Sequence, residues 1–181
     1  MEKLEITGNR IRLRPIAAED AQAVFAYRSD AETNKYQGWI PKSLEEVDVF
    51  IQKNPDTFNQ PESWFQLVIM DTALHQIVGD IGVHFFGEEH LQVELGCTLH
   101  KDFQGKGYAT EALRTLISYL FNELNKHRIT TSIDPENHNS IQLVERIGFR
   151  KEAHFVKSLF LNGSWVDDIV YSLLQEEWKH E

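Results

Sequence analysis

The residues with the clearest chemical pattern are Gln104-Gly105-Lys106-Gly107-Tyr108-Ala109-Thr110. Two closely spaced glycines let a backbone approach an anion. A helix opening just after them would aim its unpaired first-turn N–H groups at that anion. The chemistry this suits is the cradling of a phosphate or pyrophosphate. No Lys-Ser or Lys-Thr follows the second glycine, so the stretch is not a P-loop. Thr110 stands where a dinucleotide fingerprint wants glycine or alanine. A surface turn leading into an ordinary helix is the plainer alternative.

Glu94 is the second candidate. It interrupts the apolar segment Leu91 to Leu99, and strand alternation puts it on one face with Gly96 and Thr98, opposite Val93, Leu95 and Cys97. A carboxylate in such a place is either paired structurally or has chemical work, such as taking a proton. Asp80 and His84, sharing a face of the neighbouring segment, are runners-up, although a lone strand histidine is more often hydrogen-bonded filler. Gly96 in mid-strand signals a bulge or a close approach. Ser140 and Tyr108 offer hydroxyls, while Asn137 and Ser140 equally suit a helix cap. Cys97 lacks the base and the positive surroundings that activate a thiol, so it reads as buried filler.

The elements needed to position these groups are legible around them. After the glycine loop, Ala109, Leu113, Leu116, Leu120 and Leu124 recur at helical spacing. Ile11 to Pro15 alternates as a strand, and Ala21, Val24, Phe25 and Arg28 follow Glu19-Asp20 as a helix. Ser43 with Glu46 reads as the N-terminus of another. Trp64 to Met70, Ile77 to Phe86 and Arg128 to Ile133 read as strands. Asn137 opens and Gly148 closes a short helix. Phe149 to Leu161 and Ser164 to Leu174 flank Asn162-Gly163, the strongest hairpin signal in the chain. Strands and helices alternate in the middle and a hairpin closes the chain, which predicts an α/β protein with a mixed sheet in a single domain over 1–181.

Composition narrows the classes. Of 181 residues, 41% are hydrophobic and 25% charged, a globular balance. The formal net charge of −10, with no basic face, argues against a nucleic-acid partner and is compatible with a cationic one. A single cysteine cannot form an internal disulfide, which suits a reducing compartment. Met1-Glu2-Lys3-Leu4-Glu5 has no apolar leader pattern and no stretch is long enough to span a bilayer, so the expectation is a cytoplasmic protein with no membrane association.

The glycine loop resembles the acyl-CoA loop of the GNAT superfamily of N-acetyltransferases, whose signature Gln/Arg-x-x-Gly-x-Gly/Ala is filled by Gln104, Gly107 and Ala109. Leu13-Arg14-Pro15, Glu19-Asp20-Ala21, Asn137-His138-Asn139-Ser140 and Glu145-Arg146-Ile147-Gly148-Phe149 resemble one branch of it. That branch acetylates ribosomal-protein N-termini and, in some members, aminoglycosides. The resemblance runs from about Arg10 to Trp178. It implies a twisted mixed sheet of about seven strands with helices on both faces. It also implies direct transfer of an acetyl group from acetyl-CoA, as co-substrate, to a primary amine: a protein N-terminus, an amino sugar or another small amine.

The same resemblance distributes the roles. The backbone of Gln104, Gly105, Lys106, Gly107, Tyr108, Ala109 and Thr110 binds the pyrophosphate. Gly96, Cys97, Thr98 and Leu99, on a strand that splays from its neighbour, hold the pantetheine arm and the thioester. Glu94 is the base, directly or through water, against a structural or substrate-orienting role. Ser140 protonates the leaving thiolate, and Asn137 contacts the CoA arm. No metal is assigned. The chain departs from the pattern twice: Ile141-Gln142-Leu143-Val144-Glu145 lacks the tyrosine many members carry there, and Cys97 replaces a common tyrosine. Tyr36, Trp39, Phe58 and Trp64 either line the acceptor site or fill the core. Glu88-Glu89 lean towards a cationic acceptor. The closing hairpin could build a homodimer contact. A CoA-binding regulatory module without catalysis, and an acyltransferase using another acyl group, are the alternatives.

Overall fold

The alternating apolar segments pair into one eight-stranded sheet in a computed structural model that describes residues 4–179. Residues 1–3, within the stretch read for a leader, and 180–181 lie outside the described residues. The strands are β1 (Ile6–Thr7), β2 (Ile11–Pro15), β3 (Ser63–Asp71), β4 (Gln76–Phe86), β5 (Gln92–Leu99), β6 (Arg128–Ile133), β7 (Arg150–Leu161) and β8 (Ser164–Leu174). Their order is β1-β2-β3-β4-β5-β6-β8-β7, and every neighbouring pair is antiparallel except β5 with β6. Parallel neighbours need a crossover. Helix α3 (Tyr108–Asn122) supplies it.

Three further helices are α1 (Ala21–Arg28), α2 (Leu44–Gln52) and α4 (His138–Ile147). The apolar stripe of α3, Ala112, Leu113, Leu116, Ile117, Leu120 and Phe121, joins one core with Ile81, Val83, Phe85, Val93 and Leu95. Val144 and Ile147 of α4 belong to the same core. Val24 and Tyr27 of α1 and Val47 and Ile51 of α2 form a second core with Val68. Helices therefore cover both faces of the sheet, as expected. The eighth strand, beyond the seven expected, is the two-residue β1, too short for alternation to be read.

Local signals in the sequence close as their chemistry requires. The Ser43 Oγ accepts from the Glu46 N–H at 3.4 Å, and Asn137 Oδ1 accepts from the Ser140 N–H at 3.3 Å. Gly148 ends α4 at φ 115°, in the left-handed region. Asn162 and Gly163 both take positive φ, the signature of the tight hairpin turn between β7 and β8. Gly96 is different: β5 runs opposite β4 without a register shift, Gly96 facing Gly82, so the bulge expected there is absent.

An ion network ties the hairpin to the sheet. Arg128 of β6 donates to both oxygens of Glu152 on β7, and Arg150 joins Glu152 at 2.7 Å to Glu177. The Arg128 guanidinium holds the Glu152 carboxyl down to about 2. A folded value below the unfolded one, about 4.3, means this contribution is complete above that value and is lost as pH falls towards 2. Melting temperature measured against pH should therefore drop less steeply between pH 4.5 and 2 in Glu152→Gln than in the parent. Parallel curves would show that the network adds nothing.

Candidate active site

Strand β5 pairs with β4 along its whole length, but with β6 only at Gln92↔Arg128, Val93↔Ile129 and Glu94↔Thr130. Beyond Glu94 the two parallel strands diverge. The backbone groups of residues 95–99 that point away from β4 are left without a strand partner. The opening forms a cleft of about 680 Å³. Its walls are residues 95–99 of β5, 131–134 of β6 and its turn, the inner side of α4, and residues 32–37 after α1. Two bonds close the rim: Tyr36 Oη donates to the Glu136 carbonyl at 3.1 Å, and Asn162 Nδ2 to the Lys35 carbonyl at 3.3 Å.

The glycine loop stands at one end. Gly105 (φ 70°) and Gly107 (φ 85°) are both left-handed, a conformation that a side chain would strain. The first helical bond of α3 runs from the Glu111 N–H to the Gly107 carbonyl, which leaves the N–H groups of Tyr108, Ala109 and Thr110 without intrahelical acceptors. These donors and the positive end of a 15-residue helix make an anion site. Gln104, Gly105, Gly107, Tyr108, Ala109 and Thr110 line the cleft; Lys106 does not, its carbonyl being turned to Arg10. Gln104 Nε2 donates to the Leu99 carbonyl at 3.3 Å, tying the loop to the end of β5.

Along the cleft floor Gly96 is exposed, and a Cβ built on it would meet nothing within 4 Å. That leaves a lane for a ligand beside the unpaired β5 backbone. Cys97, Thr98 and Leu99 line the same stretch. Burial, reinforced by the Asp80 charge, pushes the Cys97 thiol up to about 12, so it stays protonated near neutrality and is no nucleophile. Asn137 and Ser140 line the opposite wall and also form the α4 cap.

Two hydroxyl and carboxyl candidates are consumed by structure. The buried Tyr108 hydroxyl donates to Asp71 at 2.5 Å, which raises its pKa and removes it as an acid for the cleft. Asp80 is fully buried: Arg28 Nε (2.8 Å) and Nη2, Gln66 Nε2 (2.7 Å) and the Tyr27 hydroxyl all donate to it. No lone pair of this carboxylate is left poised for a substrate proton. Glu94 keeps its side chain one-third exposed, with Oε2 at 3.5 Å from His84 Nδ1, longer than a full hydrogen bond. It lies outside the cleft lining, on the strand face it shares with Gly96. Two residues along a strand span roughly 7 Å.

The aromatic candidates divide. Trp39 stacks on Phe50 and Phe58 packs edge-on to Phe65 and Phe85, so both fill core, whereas Tyr36 lines the cleft. Trp64, half-exposed, stacks on His84 at 4.6 Å, which in turn stacks on Phe86. Sequence reasoning did not find Arg10, Asp71 or the two bonds across the cleft rim. Their partners lie between 37 and 127 residues away, beyond any local pattern.

Comparison with known proteins agrees with this geometry. The acetyltransferase (GNAT) domain family matches residues 10–150. The uncharacterized N-acetyltransferase YnaD of Bacillus subtilis is 33% identical over 97% of this chain and 99% of its own length. The putative ribosomal N-acetyltransferase YdaF of the same organism is 37% identical over 58% of this chain and 57% of its own. A solved GNAT-family acetyltransferase from Bacillus anthracis superposes with a TM-score of 0.87 at 29% identity, covering 96% of this chain and 100% of that one.

Proposed function

The chain belongs to the GNAT acetyltransferase family and is an acetyl-CoA-dependent N-acetyltransferase, and from that premise we propose how its residues divide the reaction and which amine they serve. The chain works as one domain. The N–H groups of the glycine loop take the pyrophosphate, with Gln104, Gly105, Lys106, Gly107, Tyr108, Ala109 and Thr110 forming its frame. The pantetheine arm runs along Gly96, Cys97, Thr98 and Leu99, whose unpaired amides stabilise the oxyanion of the tetrahedral intermediate. The splay of β5 from β6 after Glu94 is the observation that carries this reading.

The acceptor comes over the opposite side of the sheet, past Trp64, His84 and Glu94. Glu94 takes the ammonium proton through a water, since roughly 7 Å separates it from Gly96. The amine nitrogen then attacks the thioester carbon, the C–S bond breaks, and the thiolate leaves towards Ser140, with Asn137 beside the arm. The branch resemblance and the partial match to YdaF support a protein N-terminal amine as acceptor. The Cys97 thiol, part-buried in the cleft wall and held protonated, supports transfer without an acyl-enzyme. Among the described residues no helix is long and apolar enough to cross a membrane. The single cysteine supports a cytoplasmic setting. The exposed Val156, Phe160 and Trp165 of the β7–β8 hairpin are the surface a homodimer contact would use.

Calorimetric titration with acetyl-CoA followed by a CoA-thiol release assay tests the reading. The assay panel is a peptide with a free N-terminal serine or alanine, an aminoglycoside and a linear polyamine. Saturable binding with turnover on the peptide is expected. Turnover on another amine alone would overturn the N-terminal acceptor, and binding with no turnover on any amine would leave a CoA-binding module.

A further inference from the structure

The glycine loop is not held by its own residues alone. Arg10, in the turn between β1 and β2, reaches it from behind. Its backbone N–H and its Nε both donate to the Glu111 carboxylate in the first turn of α3, at 2.6 and 2.9 Å. Its two terminal nitrogens each lie 3.3 Å from the Lys106 carbonyl, and the guanidinium carbon sits 4.6 Å from the Tyr108 ring centre. A Cβ built on Gly107 would come within 3.3 Å of Nη2. One planar fork therefore grips the residues on both sides of Gly107 and the helix it opens. Tyr108 is fixed in turn by its hydroxyl on Asp71.

We infer that Arg10 is a positioning residue for acetyl-CoA: it holds the Lys106 carbonyl away from the cleft, so that the loop presents N–H groups, not a carbonyl, to the pyrophosphate. The inference rests on the acetyl-CoA reading above. Without the fork, the 106–107 peptide is free to rotate, and a carbonyl turned inward would repel a phosphate where a donor should meet it. Arg10 also neutralises Glu111, whose carboxylate would otherwise stand one turn from the bound anion. Lysine cannot reproduce this, because a single ammonium does not fork between a carboxylate and a carbonyl while stacking on a ring.

The test compares parent, Arg10→Ala, Arg10→Lys and Arg12→Ala by calorimetric Kd for acetyl-CoA, by kcat and KM, and by melting temperature. Arg12, two residues along and partly exposed against Glu5, controls for lost positive charge. Arg10→Ala should raise Kd and KM for acetyl-CoA by about 10- to 100-fold, the scale of a misplaced binding group, with kcat near the parent value. Arg10→Lys, which keeps the ion pair to Glu111 and with it the fold, should recover only part of the loss, and Arg12→Ala should change neither constant. If the parent binds acetyl-CoA and Arg10→Ala and Arg10→Lys bind it equally well, the inference fails. It also fails if kcat drops while KM holds. If the parent itself does not bind acetyl-CoA, the functional reading falls first and takes this one with it.

Discussion

Replacing Asp80 with alanine is expected to cost about 3–5 kcal/mol of folding stability, the range for removing one partner of a buried ion pair. Asp80 is fully buried and Arg28 is 8% exposed. Burial alone would pull the Arg28 pKa down, but the Asp80 charge outweighs it and holds the guanidinium charged. Without Asp80 that charge has no counterion, and the Gln66 amide and Tyr27 hydroxyl each lose an acceptor. Urea melts of Asp80→Ala should show a lowered midpoint with an unchanged slope. Arg28→Met in the same background should restore part of the loss, since it removes the orphaned charge. A loss below about 1 kcal/mol would instead mean a solvated pair. Turnover separates the structural role from catalysis. Assayed below its melting transition, Asp80→Ala should keep most of its kcat, whereas removing a general base costs roughly 10²–10⁴-fold.

That contrast also marks where the sequence stops being informative. Asp80 and His84 share a strand face in the sequence, and nothing local separates them as candidates. What separates them is Arg28, 52 residues upstream, which the α1 helix carries onto Asp80. Features written in short windows came through: the Ser43 and Asn137 caps, the Gly148 stop, the Asn162-Gly163 turn and the helical stripe of α3 each depend on residues a few positions apart. Gly96 shows the limit of positional statistics. A mid-strand glycine suggested a bulge, yet β5 keeps its register with β4, and the divergence is on the other edge, from β6. The missing side chain at Gly96 opens space where a bulge was expected to open backbone. Strand divergence depends on how the α3 crossover sets β6 against β5, a tertiary property with no signature in either strand. The Tyr108 hydroxyl was likewise undecidable until Asp71, 37 residues away, took it.

Glu94→Gln is expected to lower kcat by about 10²–10⁴-fold, the usual contribution of a general base, while leaving the calorimetric Kd for acetyl-CoA unchanged. An amine reaches the enzyme largely as an ammonium ion at neutral pH, and it must lose that proton before its lone pair can attack the thioester. On the proposed reading Glu94 does this from the acceptor side, its side chain one-third exposed and two residues from Gly96 on the same strand face. His84, held face to face between Trp64 and Phe86, fixes one side of the carboxylate's surroundings without a close hydrogen bond. Glutamine keeps the shape and loses the proton acceptor. The residual rate of the variant should then climb with pH as the free amine fraction grows, because substrate in the right protonation state replaces the missing base. Glu94→Asp should fall between parent and Glu94→Gln, as a water relay tolerates a shorter arm. His84→Gln should cost less than Glu94→Gln; the reverse order would move the base to His84. A Glu94→Gln enzyme with parent kcat at every pH would leave Glu94 a structural carboxylate and require the proton to depart by another route.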